Sequence, residues 1–246
     1  MYLDVVDLRA FYASHLGVVA RRLIGRRIAK RWPTVAGECV LGMGYATPYL
    51  EDLAGEPERV LAMMPAAQGV VTWPLDGLNR AALVEEDALP LPDSSVDRAL
   101  IIHSLEMVAD PGSHLREIWR VLTPGGRVIL IVPNRAGIWA RTERTPFGNG
   151  QPYGAGQLTG LLRDAQLSPL GWSEALAVPP MRGPWLRSGM VWEQIGRTLW
   201  PVFAGVIIVE ATKQLYQGIA ARERRSRLRP ALRPALIPPG AASPAR

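Results

Sequence analysis

Short apolar runs alternate with amphipathic stretches along most of the chain. The runs are "CVL" at 39–41, "RVLAMM" at 59–64, "AALVEE" at 81–86, "DRALIIH" at 97–103 and "RVILIVP" at 127–133. Strand-length runs separated by helical patterns predict a parallel α/β architecture. The fifth run is apolar at every position from Val128 to Val132, as a strand buried on both faces must be. A first helix is predicted over 7–31, with Leu8, Phe11, Tyr12, Val19, Leu23 and Ile24 near one face. The clearest helix begins at Asp110, a cap, and Pro111, a first-turn residue. Leu115, Ile118, Trp119 and Leu122 form its stripe, and "TPGG" at 123–126 ends it. A further stripe, Leu158, Leu161, Leu162 and Ala165, predicts another helix. Two closing strands are expected at 170–178 and 203–211, with a helix between them carrying Trp185, Trp192 and Trp200 at near-heptad spacing.

Composition sharpens this picture in three places. The 246 residues are 48% hydrophobic, enough for one sizeable core. No run reaches the roughly 18 to 20 apolar residues of a membrane span, and "MYLDVVDLRA" lacks the pattern of a secretion signal. The expectation is a soluble, cytoplasmic protein. The net charge of +6 resides in residues 222–246, where seven arginines face one glutamate, so the rest of the chain is neutral. That Pro-, Arg- and Ala-rich tail is expected to be disordered. It serves either as a solubilising extension or as an electrostatic contact for nucleic acid or an anionic membrane surface. The expected division is an N-terminal helical segment at 1–35, a main domain at 36–215 and the basic tail at 216–246. Arg21, Arg22, Arg26, Arg27, Lys30 and Arg31 crowd the end of the first helix, where they complement its dipole or offer a basic surface.

Candidate chemistry is sparse. Cys39 is the single cysteine and reads as a small buried residue, and His15, His103 and His114 fit no metal spacing. "GMGYAT" at 42–47 follows the first strand and is two-thirds of a dinucleotide fingerprint. The third small residue is Thr47, and the second strand ends in methionines where that fingerprint needs an acid, so a nicotinamide cofactor is disfavoured.

The stretch "LVEEDALPLPDSSVDRALIIHSLEMVADPGSHLREIWRVLTPGGRVILIVPN" at 83–134 is more specific. Its acidic residue and Ala, its "LP", its Ser-x-x-Asp entering a strand, its Asp-Pro helix start and its "RVLTPGG" resemble the class I S-adenosylmethionine-dependent methyltransferases, type 11 domain. The resemblance covers roughly residues 36–135, with weaker continuity to about 215. It implies a Rossmann-like sheet of seven strands, mostly parallel with an antiparallel last strand, and helices on both faces. It also implies S-adenosylmethionine bound across the carboxyl ends of the first strands, and methyl transfer to a small-molecule or lipid-like acceptor.

Carried over residue by residue, the cofactor positions are Gly42, Met43 and Gly44 after the first strand, Met64 after the second, Asp87 and Ala88 at the adenine edge, and His103 under the sulfonium. Several depart from the family pattern. Gly42 stands where the family has an acid, Ala46 and Pro48 stand where it has glycines, and Met63 or Met64 stands where it has the ribose carboxylate. Polar ligation is therefore weakened, and the alternative is a non-catalytic binding or regulatory protein on the same fold. Met64→Asp is expected to restore about 1–2 kcal/mol of cofactor affinity. His103 is the candidate base, and Glu106 belongs either to the site or to its rim. The loop 134–154, with Trp139, Phe147 and Tyr153, is either a substrate lid or a packed structural loop.

Overall fold

The first predicted helix is two. Helix α1 spans Val5–Ala13 and α2 spans His15–Arg31. The break is Ser14, whose backbone is extended (φ −74, ψ 159) while its hydroxyl caps the amide of Gly17. Serine competes for backbone donors in this way, which is why it starts helices more readily than it continues them. The structure is a computed structural model and describes residues 3–177, 180 and 204–215. The Trp-bearing segment 184–200 and the tail 216–246 lie outside the described residues.

Seven strands follow: β1 (Cys39–Gly44), β2 (Arg59–Pro65), β3 (Ala81–Val84), β4 (Val96–Ile102), β5 (Leu122–Pro133), β6 (Leu167–Ala175) and β7 (Val206–Lys213). Their order in one sheet is β3-β2-β1-β4-β5-β7-β6. Pairing is parallel from β3 to β5, and β7 runs antiparallel between β5 and β6. The predicted bounds shift by a few residues. The "TPGG" stretch ends helix α4 (Pro111–Val121) as expected, but it is taken into the start of β5. The turn after β1 makes only one helical turn, α3 (Thr47–Leu50), and α5 spans Ala155–Asp164.

Alternation along the strands splits the core between the two faces. Val40, Met64, Leu100, Ile129 and Ile131 face α1 and α2. Leu41, Met43, Met63, Leu130 and Val132 face α4 and α5. Helices α1 and α2 are therefore part of the sheet's own core. Three of the six basic residues of α2 are used within the fold, and Arg22, Arg26 and Lys30 are exposed. Arg21 pairs with Asp52 and Glu51, Arg31 with Glu210, and Arg27 donates to the Glu174 carbonyl. Cys39 is half-buried at the head of β1 rather than fully buried. No helix among the described residues is long and apolar enough to cross a membrane.

Candidate functional site

Strand order reverses between β1 and β4, and open α/β sheets bind ligands beyond the carboxyl ends at such a point. Two residues fix the local backbone there. Gly44 ends β1 with φ +78, and a Cβ on it would collide with the Ile102 carbonyl oxygen. His103 follows β4 with φ +54, a region where a non-glycine side chain costs about 1–3 kcal/mol. Its own carbonyl accepts from Gln68 Nε2 at 2.8 Å, which helps hold that conformation.

His103 is fully buried beneath α1. Its Nε2 lies 2.8 Å from the Tyr12 hydroxyl, which is 3.0 Å from the Tyr49 hydroxyl. Burial first, then the neighbouring Tyr49, holds the Tyr12 phenol well above its ordinary value, and burial raises Tyr49 as well. Both phenols therefore keep their protons at neutral pH. With the imidazole proton on Nδ1, Tyr12 donates to Nε2 and Tyr49 donates to the Tyr12 oxygen; with it on Nε2 both bonds reverse. Nδ1 faces Glu106 Oε1 at 3.4 Å. Tyr12 also stacks on Tyr45, with ring centres 5.5 Å apart.

Four polar atoms here are buried without a hydrogen-bond partner among the described residues: both carboxylate oxygens of Glu106, Nδ1 of His103 and Oε1 of Gln68. The Glu106 side chain is only 1% exposed. Such groups cost about 1–3 kcal/mol each, more when charged, so native structures keep them where a partner arrives.

The structure brings Gly42, Met43, Gly44, Met64 and His103 to the carboxyl ends of neighbouring strands, and all five are buried. The space beside Gly42 is taken by the chain itself: a Cβ there would lie 2.6 Å from Leu50 Cδ1 and 2.9 Å from Ala46 Cβ. Met64 has no exposed surface. Asp87 and Ala88 are exposed and are not brought into this cluster. Asp87 lines an open groove of about 580 Å³ with Ser113, Arg116 and Glu117 of α4. The loop 134–154 is packed: Trp139, Phe147 and Tyr153 are buried, and Tyr153 donates to the Leu105 carbonyl at 3.0 Å. No group of three or more His, Cys, Asp or Glu residues among the described residues could hold a metal.

Sequence reasoning missed Tyr12 and Gln68 as site residues and left Glu106 undecided. Tyr12 looked like one more member of an apolar stripe. The available signal was its hydroxyl, a polar tip on a face that must be buried.

Residues 40–130 match the family model described as a methyltransferase domain. The chain is 30% identical over 150 residues to a protein of Mycolicibacterium smegmatis named as an S-adenosylmethionine-dependent methyltransferase, covering 58% of this chain and 56% of that one. It is 39% identical over 72 residues to the demethylmenaquinone methyltransferase of Deinococcus radiodurans, covering 28% of this chain and 30% of that one. The chain thus spans about half, or less, of the length of these relatives. Among solved structures it resembles a chain of the Haloferax volcanii complex between the Trm112 methyltransferase activator and a methyltransferase. The TM-score is 0.60 at 18% identity, over 87% of this chain and 100% of that one, a likeness of fold.

Proposed function

We propose that this chain carries a class I S-adenosylmethionine-dependent methyltransferase domain and transfers a methyl group to a small-molecule or lipid-like acceptor. The observation that carries this reading is the set of partnerless buried polar atoms around His103 and Glu106, at the point where strand order reverses. The name of the D. radiodurans relative supports that class of acceptor. On this reading the protein works in the cytoplasm.

The residues around Gly42 and Met64 leave no room for the methionine end: Leu50 and Ala46, from the turn and helix after β1, fill the space beside Gly42, and Met64 has no exposed surface. The chemistry of the polar atoms does fit: Glu106 and Gln68 Oε1 are acceptors, suited to a cationic group. On the family pattern Gly42, Met43, Gly44 and Met64 would wall the cofactor and His103 would face the reacting end, whereas Asp87 and Ala88 lie outside that cluster. When bound, the cofactor supplies a methyl group on a sulfonium. The protein's share is alignment and proton handling. With its proton on Nδ1, His103 would take a proton from the acceptor atom at Nε2, and Glu106 beyond Nδ1 would stabilise the imidazolium.

A second reading is a non-catalytic relative, favoured by the filled space at Gly42 and the apolar Met64. Titration calorimetry with S-adenosylmethionine and S-adenosylhomocysteine separates the two. Micromolar binding supports the methyltransferase, and silence to millimolar ligand from a folded protein supports the alternative. The arginine tail is proposed as a contact for nucleic acid or an anionic membrane. Salt-dependent binding abolished by removing 222–246 would establish it, and binding indifferent to salt would dismiss it.

A further inference from the structure

The outer side of α2 carries three exposed cations, and the edge strand beside it exposes Trp172 and Leu170. We propose that this face docks the protein on an anionic membrane surface. The row Arg22, Arg26 and Lys30 meets the headgroups, and the exposed apolar side chains of β6 enter the boundary beneath them. The proposal is independent of the cofactor and of the methyl acceptor.

Helix α2 has six basic residues and no acid. Its inner side is buried through Ala20, Leu23, Ile24 and Ile28. Arg22, Arg26 and Lys30 follow at four-residue steps, which sets them about 6 Å apart along one outer ridge. None of the three has an ion-pair partner among the described residues. The acids that meet this helix serve other groups. Glu51 and Asp52 hold Arg21, and Glu210 accepts from Arg31, Arg127 and Trp32. The charge of the row is left facing solvent. A row of cations alone would be an ordinary solvated face; the neighbouring strand changes that reading.

Strand β6 is the outer strand of the sheet, and α2 packs along it. Arg31 donates to the Ser173 hydroxyl and Arg27 to the Glu174 carbonyl. Lys30 and Trp172 line one open groove of about 830 Å³ with Arg27 and Arg31, so the row and the ring share a surface. Trp172 is 40% exposed and Leu170 52%. Val18, one step before Arg22 on the same ridge, is 46% exposed. Such a mixture matches the boundary of a bilayer, where indole lies at headgroup level and Lys and Arg reach the phosphates along apolar stems. Val18 and Leu170 gain nothing from a sugar-phosphate backbone, which favours lipid over nucleic acid. Glu174 also lines the groove; burial pushes its carboxyl upward, toward the neutral form that an anionic surface accepts. No helix among the described residues is long and apolar enough to cross a membrane, so the contact is made by charge and shallow insertion together.

The test is cosedimentation of the full-length protein with vesicles of phosphatidylcholine alone, or with about a third of phosphatidylglycerol, at low and high salt. The wild type is expected to bind the anionic vesicles and to leave them as salt rises. No binding to them at low salt overturns the proposal. Each neutralised cation should weaken binding about fivefold, so Arg22→Gln/Arg26→Gln/Lys30→Gln should lose about a hundredfold with the arginine tail intact. An unchanged triple variant overturns the proposal and leaves the contact to the tail. Arg163→Gln, in α5 on the other face of the sheet, should cost less than about twofold. A loss equal to that of Arg26→Gln would mean that net charge alone is read, against the proposal. Trp172→Ser should weaken binding about three- to tenfold. An unchanged Trp172→Ser, together with duplex RNA that binds the wild type and not the triple variant, would make the row a nucleic-acid contact and overturn the membrane reading. The three cations are exposed, so the triple variant should keep the wild-type urea midpoint, and its loss of binding then reports the surface.

Discussion

Met64→Asp restores the carboxylate that the methyltransferase family places after its second strand. From the sequence, the expected result is a gain of about 1–2 kcal/mol in cofactor affinity. The structure changes the expectation. Met64 has no exposed surface and packs on the α1/α2 face of the sheet, in the same cluster as Tyr12, Tyr45 and Trp73. Removing the methionine from that cluster costs about 1.5–3 kcal/mol of apolar burial. Placing an ionised carboxylate among aromatic rings costs several kcal/mol more. The sum, about 4–7 kcal/mol, is comparable with the whole stability of a typical domain, about 5–15 kcal/mol. With a urea slope of about 2 kcal/mol per molar, the middle of the usual range, the unfolding midpoint should fall by about 2–3.5 M. The assay is urea denaturation followed by circular dichroism, with Met64→Leu as control, which should cost under about 1.5 kcal/mol. A Met64→Asp midpoint within about 0.5 M of wild type, well inside that expected fall, would refute the argument. It would mean that the region around Met64 is open in solution and that α1 spends little time in place.

Gly44→Ala should destabilise by about 3 kcal/mol or more. It forces an alanine to φ +78 and drives a Cβ into the Ile102 carbonyl that also accepts from the Tyr45 amide; a fall in melting temperature under about 3 °C would contradict it. Tyr153→Phe should cost about 1 kcal/mol through loss of the bond to the Leu105 carbonyl, measurable as a shifted urea midpoint, and no shift would mean that loop 134–154 is not held there. Burial lowers the His114 pKa, so its neutral form is favoured by folding. Stability should therefore fall as pH drops below about 6.5, and His114→Gln should flatten that limb of a pH series of urea midpoints. The Arg120 guanidinium bonded to Glu117 lowers its carboxyl below the ordinary range. That contribution is present above about pH 4.5 and is lost on further acidification, so Glu117→Gln should be least damaging at the acid end.

Much of the fold was legible along the chain because its causes are local. The unbroken apolar run Val128–Val132 could only be a doubly covered strand, and Asp110-Pro111 announced α4 by side-chain capping and a fixed φ. The ordered signature at 83–134 carried the resemblance to the methyltransferase domain, and the family model matches residues 40–130. The edges of β6 and β7 slipped by a few residues because burial, partial along β6 and nearly continuous along β7, marks a strand without marking where its ladder stops. Ser14 breaks the first helix by a local hydrogen bond that an apolar stripe running through it conceals.

The site divides along the same line. The sequence by itself determined that β1 ends in glycine turns, that the acids of the family are missing at Gly42 and Met64, and that a histidine follows β4. Only the tertiary structure decided what those residues meet. Tyr12 and His103 are 91 positions apart, and their hydrogen bond exists because α1 lies across the carboxyl ends of β1 and β4. The left-handed backbone of His103, the packing of Leu50 beside Gly42 and the trapped carboxylate of Glu106 arise in the same way. Periodicity reports which face of an element is buried. It carries no record of which polar atom, from which distant element, arrives there, and that pairing decides whether a buried group is satisfied or left for a ligand.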